Sequence, residues 1–135
     1  MLVELNELNK SYHNGVFEVA ALKNINLKIS KGEFTVFAGP SGSGKTTLLN
    51  IVGTMDKLSS GEVRVDGIEL SALSKNEASD FRKDKIGFIF QSYNLIPVLT
   101  VYENVEFILD LVGKFTKSEK ELKINTLLEE LGLLE

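Results

Sequence analysis

The spacing of hydrophobic and polar positions changes near the middle of the chain. Residues 2–9 alternate loosely, and residues 16–29 alternate more clearly, so the first predicts one strand and the second predicts one or two. Residues 12–15 predict the intervening turn. In the second segment the side chains expected to face inward are Leu22, Ile25, Leu27 and Ile29, and those expected to face outward are Asn24, Asn26 and Lys28.

Two short apolar runs predict buried strands. Residues 34–38 and 86–90 are rich in β-branched and aromatic side chains and contain no charge. Residues 59–61 predict a turn, and the alternating residues 62–67 predict a short strand that ends in an Asp-Gly pair, the signal for a tight hairpin.

Helix starts in the later part of the chain are marked by three capping boxes, in which Ser or Thr precedes Glu by three residues. The pairs are Ser74 with Glu77, Thr100 with Glu103, and Thr116 with Glu119. The second helix is expected to carry one apolar face, formed by Val101, Val105, Ile108 and Val112. The third carries Ile124, Leu127, Leu128 and Leu131 and is expected to end at Gly132. The early half is thus mainly strands and the later half mainly helices.

Composition narrows the class of protein. The 135 residues suffice for one small domain, and 43% hydrophobic and 25% charged residues are typical of a soluble globular chain. The absence of cysteine excludes disulfides and thiolate chemistry. No apolar run approaches the roughly 18 residues of a membrane span, and the acidic N-terminus does not resemble a signal peptide, so we expect a cytoplasmic chain. A net charge of −4 gives no electrostatic reason to expect nucleic acid as a partner.

Residues 39–46, called here the phosphate loop, fit the pattern G-x-x-x-x-G-K-[ST] between a predicted strand and a helix predicted at 46–52. Glycines let the backbone curl and present its N–H groups, and the helix start adds the positive end of its dipole. Lys45 would contact the β- and γ-phosphates, and Thr46 would offer its hydroxyl to Mg²⁺. The alternative is a loop that only connects a strand to a helix. The candidate nucleotide-binding residues are Gly39, Pro40, Ser41, Gly42, Ser43, Gly44, Lys45, Thr46 and Thr47.

The order of motifs resembles the ATP-binding subunit of ABC transporters: an aromatic turn, the phosphate loop, a Ser-Gly-Glu-Val turn at 60–63, and an apolar strand that ends in Gln91. Residues 86–91, 94–97 and 100–105 are most similar to the lipoprotein-release and macrolide-export branch. The resemblance extends over the whole chain and implies ATP and Mg²⁺ as cofactors.

The resemblance also implies a fold and an assembly. The fold is an α/β P-loop NTPase of the ABC ATPase type, incomplete at the C-terminus. Its implied parts are an N-terminal antiparallel β part (1–32), a P-loop core (33–99) and the start of a helical subdomain (100–135). Family members dimerise around two ATP molecules and act with transmembrane permease subunits at the cytoplasmic face of the membrane.

Three features acquire roles through this resemblance, each with a simpler alternative. Tyr12 would stack on adenine, or it is an ordinary half-buried tyrosine at the end of a strand. Gln91 would act as the catalytic glutamine that reaches Mg²⁺ or the attacking water, or it is a solvated loop residue. The apolar residues 95–99 would contact a membrane partner or pack into this chain's own core. His13, the one histidine, is assigned no chemistry.

The family pattern stops short within these residues. The strand that ends in Asp and is followed by a catalytic Glu, the Leu-Ser-Gly-Gly-Gln-type signature and the later histidine are missing. Residues 107–110 mimic that strand, but Leu111 stands where Glu is required and the spacing is helical. We therefore expect weak turnover, unpaired strands at 33–38 and 86–90, and marginal stability.

The sequence leaves two alternative functions. The absence of the catalytic motifs agrees with a non-catalytic nucleotide-binding or interaction module. A small kinase or GTPase leaves Tyr12 and Gln91 unexplained. A GTPase also requires Asn-Lys-x-Asp, whereas Asn9 and Lys10 are followed by Ser and Tyr.

Overall fold

The computed structural model describes residues 1–134 and divides into two compact units, Met1–Gly87 and a second unit that begins at Phe88. Glu135, the last residue of the expected helical part, lies outside the described residues. The proposed division into 1–32, 33–99 and 100–135 stays a prediction. No helix in the described part of the chain is long and apolar enough to cross a membrane.

The first unit is built on a four-stranded antiparallel sheet with the order β2-β1-β3-β4. Its strands are β1 (Val3–Asn14), β2 (Phe17–Ile29), β3 (Ser60–Val65) and β4 (Ile68–Glu69). The expectation of an antiparallel N-terminal part is confirmed.

The turn expected at residues 12–15 begins only at the last of them, Gly15. β1 runs through Tyr12, which pairs with Val19, and the chain reverses only at Gly15, where φ is 62°. The cross-strand ladder extends over polar residues whose local preference favours a turn, because each added pair satisfies backbone hydrogen bonds.

The core of the first unit lies between the sheet and α1 (Lys45–Val52). From the sheet, Leu5, Leu8 and Val63 are almost fully buried, and from α1 Ile51 is 1% exposed. The inward and outward residues expected in β2 are confirmed: the four apolar side chains belong to the core or pack against it, whereas the two asparagines and the lysine are exposed. α1 is thereby held against the sheet by its C-terminal half.

Local signals in the polar segments are confirmed in detail. Asp66 and Gly67 both have positive φ, 52° and 78°, and join β3 to β4 in the expected tight hairpin. All three capping boxes form, at the starts of α2 (Lys75–Lys85), α3 (Val101–Val112) and α4 (Lys117–Glu130). Gly132 follows α4 with a φ of 67° and ends it where expected.

The apolar faces expected on the later helices are only partly buried. In α4, Ile124 and Leu128 are buried, but Leu127 is 41% exposed. In α3 no residue is buried, and Ile108 is 57% exposed. Helical spacing correctly placed these side chains on one face, but burial depends on how much partner surface covers that face.

The strands predicted at 34–38 and 86–90 do not form. Phe34 is 93% exposed and Ile89 is fully exposed. A strand requires a neighbouring strand to accept and donate its backbone hydrogen bonds, and no neighbour pairs with either segment among the described residues. This outcome matches the expectation that both segments lack pairing partners and expose apolar side chains.

We predict that the exposed apolar segments make the 135-residue chain prone to aggregation. Ile89→Lys is expected to lower light scattering on heating and to leave the unfolding midpoint unchanged, because the side chain contacts little. Ile124→Lys is the matched control, since the same substitution at a fully buried position is expected to lower the midpoint. Equal scattering from Ile89→Lys and the parent chain would contradict the prediction.

Candidate functional site

The phosphate loop leads directly into α1, and Gly44 forms the junction. Its backbone is left-handed, with φ 88° and ψ 2°, and it caps the helix without a side-chain hydrogen bond. The first helical bond of α1 runs from the Leu48 N–H to the Gly44 carbonyl, at 2.8 Å. Because an α-helix leaves its first N–H groups without intrahelical acceptors, this end of α1 offers donors and positive potential to an anion.

Gly44 is also pressed against β2. A Cβ at this position would lie 2.7 Å from the Ala21 carbonyl oxygen and 2.8 Å from Leu22 Cδ2. Both distances are shorter than a real contact permits, and the carbonyl belongs to a paired strand that cannot move freely. The glycine therefore allows the start of α1 to approach the sheet.

The Lys45 side chain folds back over the phosphate loop. Its ammonium donates to the carbonyl oxygens of Gly39 and Pro40, both at 2.8 Å, and to Ser43 Oγ at 3.2 Å. These acceptors fix a positive charge beside the curled backbone. The same three N–H bonds can be made to phosphate oxygens, which are stronger, charged acceptors.

A cavity of about 400 Å³ brings Tyr12 together with the phosphate loop. It is lined by Tyr12, Val19, Ala20, Ala21, Ser41, Gly42, Ser43, Gly44, Lys45, Thr46 and Thr47. Gly39 and Pro40 are not part of this lining and contribute as acceptors for Lys45. One concave surface thus contains an aromatic ring, several hydroxyls, a cation and a helix start.

Two other residues singled out from the sequence lie elsewhere. Gln91 belongs to the second unit, where it is exposed in a stretch without helix or strand. His13 is exposed in β1. In the second unit, Leu95 and Val98 are 62% and 88% exposed, and this agrees with a surface position for part of residues 95–99.

The structure adds two residues that the sequence patterns did not single out. The Tyr12 hydroxyl donates to Asp56 Oδ2 at 2.7 Å, and the Lys10 ammonium donates to Asp56 Oδ1 at 2.7 Å. Lys10 Nζ also lies 4.6 Å from the centroid of the Tyr12 ring. We call these three residues the Tyr12 cluster. A signal existed, since Lys10 and Tyr12 share one face of an alternating strand, but nothing in the sequence linked that face to Asp56.

The surroundings of Asp56 keep its carboxylate ionised. Partial burial of the carboxylate raises the pKa of Asp56, but the hydrogen bonds that it accepts outweigh this effect and hold its pKa below the ordinary value. The donors are the Lys10 ammonium, the Tyr12 hydroxyl and the Lys57 N–H. The aspartate is therefore ionised at neutral pH and can accept from all of them.

A larger cavity of about 550 Å³ lies in the same unit. It is lined by residues at the C-terminal end of α1 and along α2. Its lining contains none of the candidate nucleotide-binding residues. The Arg82 guanidinium crosses it to the carbonyl oxygen of Thr54, at 2.8 Å. Its lining includes the cationic side chains of Lys57, Lys75 and Arg82 but none of the glycines of the phosphate loop.

Comparisons with known proteins agree with the geometry. Residues 22–135 match the family model described as ABC transporter. An uncharacterized ABC transporter ATP-binding protein of Methanocaldococcus jannaschii, MJ0796, is 49% identical over 114 residues, which are 84% of this chain and 48% of that protein. The macrolide export ATP-binding/permease protein MacB of Marinobacter nauticus is 45% identical over 98% of this chain and 20% of its own length.

The comparison with solved structures also finds ATP-binding cassettes. The dimeric post-hydrolysis structure of the ATP-binding cassette MJ0796 bound to ADP and Pi superimposes with a TM-score of 0.88 at 44% identity. That match covers 98% of this chain and 58% of the solved chain. The chain therefore spans about half the length of these cassettes and one fifth of the export protein.

We predict that Gly44→Ala destabilises the chain more than Gly42→Ala does. Both glycines have positive φ, at 88° and 78°, so alanine costs about 1–2 kcal/mol of backbone strain at either position. Only at Gly44 does the new Cβ also collide with β2, whereas nothing lies within 4 Å at Gly42. Urea unfolding monitored by circular dichroism measures the difference, and equal unfolding free energies for the two variants would contradict the close approach.

Proposed function

Because the chain belongs to the ABC transporter family, we propose that residues 39–47 bind the triphosphate of Mg-ATP and that Tyr12 stacks on the adenine. The observation that supports this most directly is the single cavity shared by the Tyr12 ring and the phosphate loop. A nucleotide needs a flat apolar contact for its base and converging donors for its phosphates, and this cavity contains both.

The proposed contacts with the phosphates depend on positive charge. The exposed start of α1 supplies backbone donors, and Lys45 supplies a full positive charge beside them. On binding, the ammonium would exchange the carbonyl oxygens of Gly39 and Pro40 for phosphate oxygens. Charged acceptors strengthen each hydrogen bond about twofold, so the exchange favours the bound nucleotide.

The proposed contact with the base depends on the shape of the cavity around Tyr12. Tyr12 is 42% exposed, and the side chains beside it in the cavity, Val19, Ala20 and Ala21, are small and apolar. Stacking on an aromatic ring contributes about 1–3 kcal/mol per base without reading the base edges. The site therefore suits an adenine ring held by its face.

The cavity contains an oxygen ligand that is suitable for Mg²⁺. Thr46 contributes a hydroxyl to the cavity, and oxygen is the ligand that Mg²⁺ prefers. We assign Thr46 and Gln91 as its protein ligands and Gln91 as the catalytic residue that also contacts the attacking water. When bound, Mg²⁺ would neutralise charge on the phosphates.

For a protein of the relatives' full length we propose ATP hydrolysis that powers transport of the export or lipoprotein-release type. Its partners would be transmembrane permease subunits at the cytoplasmic face of the membrane, and it would act as a dimer with two ATP molecules enclosed. The dimeric relative bound to ADP and Pi supports this assembly. The exposed apolar stretch at 95–99 is the proposed contact with the permease.

We predict that Lys45→Ala weakens binding of a fluorescent ATP analogue at least tenfold, because a charge-assisted contact to phosphate is lost. Lys28→Ala is the matched control. It removes the same charge from an exposed position on β2 and is expected to leave affinity unchanged. Fluorescence titration in the presence of Mg²⁺ measures both. Equal affinity of Lys45→Ala and the parent chain would refute the assignment of Lys45.

A further inference from the structure

Within the Tyr12 cluster, Asp56 follows the end of α1 that lies opposite the phosphate loop. Gly44 begins α1, and the segment 53–59 continues from its last turn. This segment stays attached to the helix, because the N–H groups of Met55 and Asp56 donate to the Asn50 carbonyl oxygen at 2.7 and 3.2 Å. Asp56 is thus fixed to the same helix that presents the phosphate loop.

The segment is also fixed to β1, on either side of Lys10. The Ser59 N–H donates to the Asn9 carbonyl oxygen at 2.9 Å, and the Ser11 N–H donates to Ser59 Oγ at 3.0 Å. Between these links, Lys10 reaches Asp56 and also donates to the Lys57 carbonyl oxygen at 2.7 Å. Backbone and side-chain bonds therefore place Asp56 beside Tyr12 from two directions.

The ring of Tyr12 needs such a restraint. It is 42% exposed on an edge of the cavity, and its immediate neighbours there are small, so packing alone leaves the ring free to rotate. The bond from its hydroxyl to Asp56 fixes the far end of the ring. The Lys10 ammonium occupies one face of the ring, 4.6 Å from the centroid, and leaves the opposite face for a flat ligand.

We propose that Asp56 is a positioning residue for the nucleobase. It holds the Tyr12 ring at a fixed place relative to the phosphate loop, because α1 carries the phosphate loop at its start and the segment with Asp56 after its end. Lys10 assists by pairing with Asp56 and covering the unused face of the ring. This inference rests on the proposed binding of ATP at this site.

The test separates the base from the phosphates by comparing two ligands, Mg-ATP and inorganic tripolyphosphate with Mg²⁺, by titration calorimetry on the full chain. Asp56→Asn keeps the size of the side chain but replaces one acceptor oxygen with an amide NH₂, so Lys10 and Tyr12 can no longer each donate to an oxygen of their own. Tyr12→Phe keeps the ring and removes the hydroxyl. Asp66→Asn is the matched control, because Asp66 also pairs with a lysine, Lys85, but lies beside Leu2, at the opposite end of β1 from Tyr12.

We expect Asp56→Asn and Tyr12→Phe each to weaken ATP binding by about three- to tenfold, the range for loss of one hydrogen bond that orders a contact. Tripolyphosphate affinity is expected to stay within about twofold of the parent. The double variant is expected to be no weaker than Asp56→Asn alone, because both substitutions break the same restraint. Asp66→Asn is expected to change neither ligand's affinity.

Four outcomes would overturn the inference. Equal weakening of both ligands by Asp56→Asn would show a general structural role. Unchanged ATP affinity in Tyr12→Phe would show that the hydroxyl bond does not matter, even if Asp56→Asn fails to fold. Binding of neither ligand by the parent chain would overturn the proposed function together with this inference, whereas tripolyphosphate binding with no gain for ATP would overturn the base contact alone.

Discussion

The close approach of Gly44 to β2 is the constraint on which the candidate site depends. The start of α1 can lie against Ala21 only because no Cβ intervenes, and the C-terminal half of the same helix is held by buried contacts of Leu48 and Ile51. Packing at one end and a missing side chain at the other thus fix where the phosphate loop presents its backbone donors. Since a helix start carries about half a positive charge, its fixed placement gives this cavity its preference for anions.

The antiparallel sheet contributes the other half of the site. β1 continues past the expected turn and carries Tyr12 to the cavity, where it meets the loop from α1. The bonds around Asp56 then connect the two parts, so the sheet and the helix act as one frame. This arrangement explains why a small first unit can contain a two-ended site with an aromatic contact and a phosphate contact. Gln91 and the apolar residues 95–99, whose roles stay proposals, belong to the second unit.

Much of this structure was predictable, for identifiable physical reasons. The capping boxes, the Asp-Gly hairpin and the inward residues of β2 depend on interactions between near neighbours, and all are confirmed. The resemblance to the ABC transporter ATP-binding family is also confirmed, because its motifs occur in order over most of the chain. The strands expected at 34–38 and 86–90 do not form. A strand requires a neighbouring strand, and the composition of a segment does not show whether that neighbour is present. The Tyr12 cluster was missed for a similar reason: Lys10 and Asp56 are 46 residues apart, and only the tertiary fold brings them together. The roles of Lys45, Thr46, Tyr12 and Gln91 stay predictions that binding measurements decide.

The central claim is that one cavity in the first unit binds both ends of a nucleotide. Amide chemical-shift mapping of the isotope-labelled chain during titration with Mg-ATP tests it most directly, because the shifts locate the ligand without any substitution. The account predicts saturable shifts at the amides of residues 41–47, together with shifts at Tyr12 and at Val19, its partner across the β1–β2 ladder. Shifts confined to the larger cavity lined by Leu70 and Arg82, or shifts at 41–47 without any at Tyr12 and Val19, would contradict it.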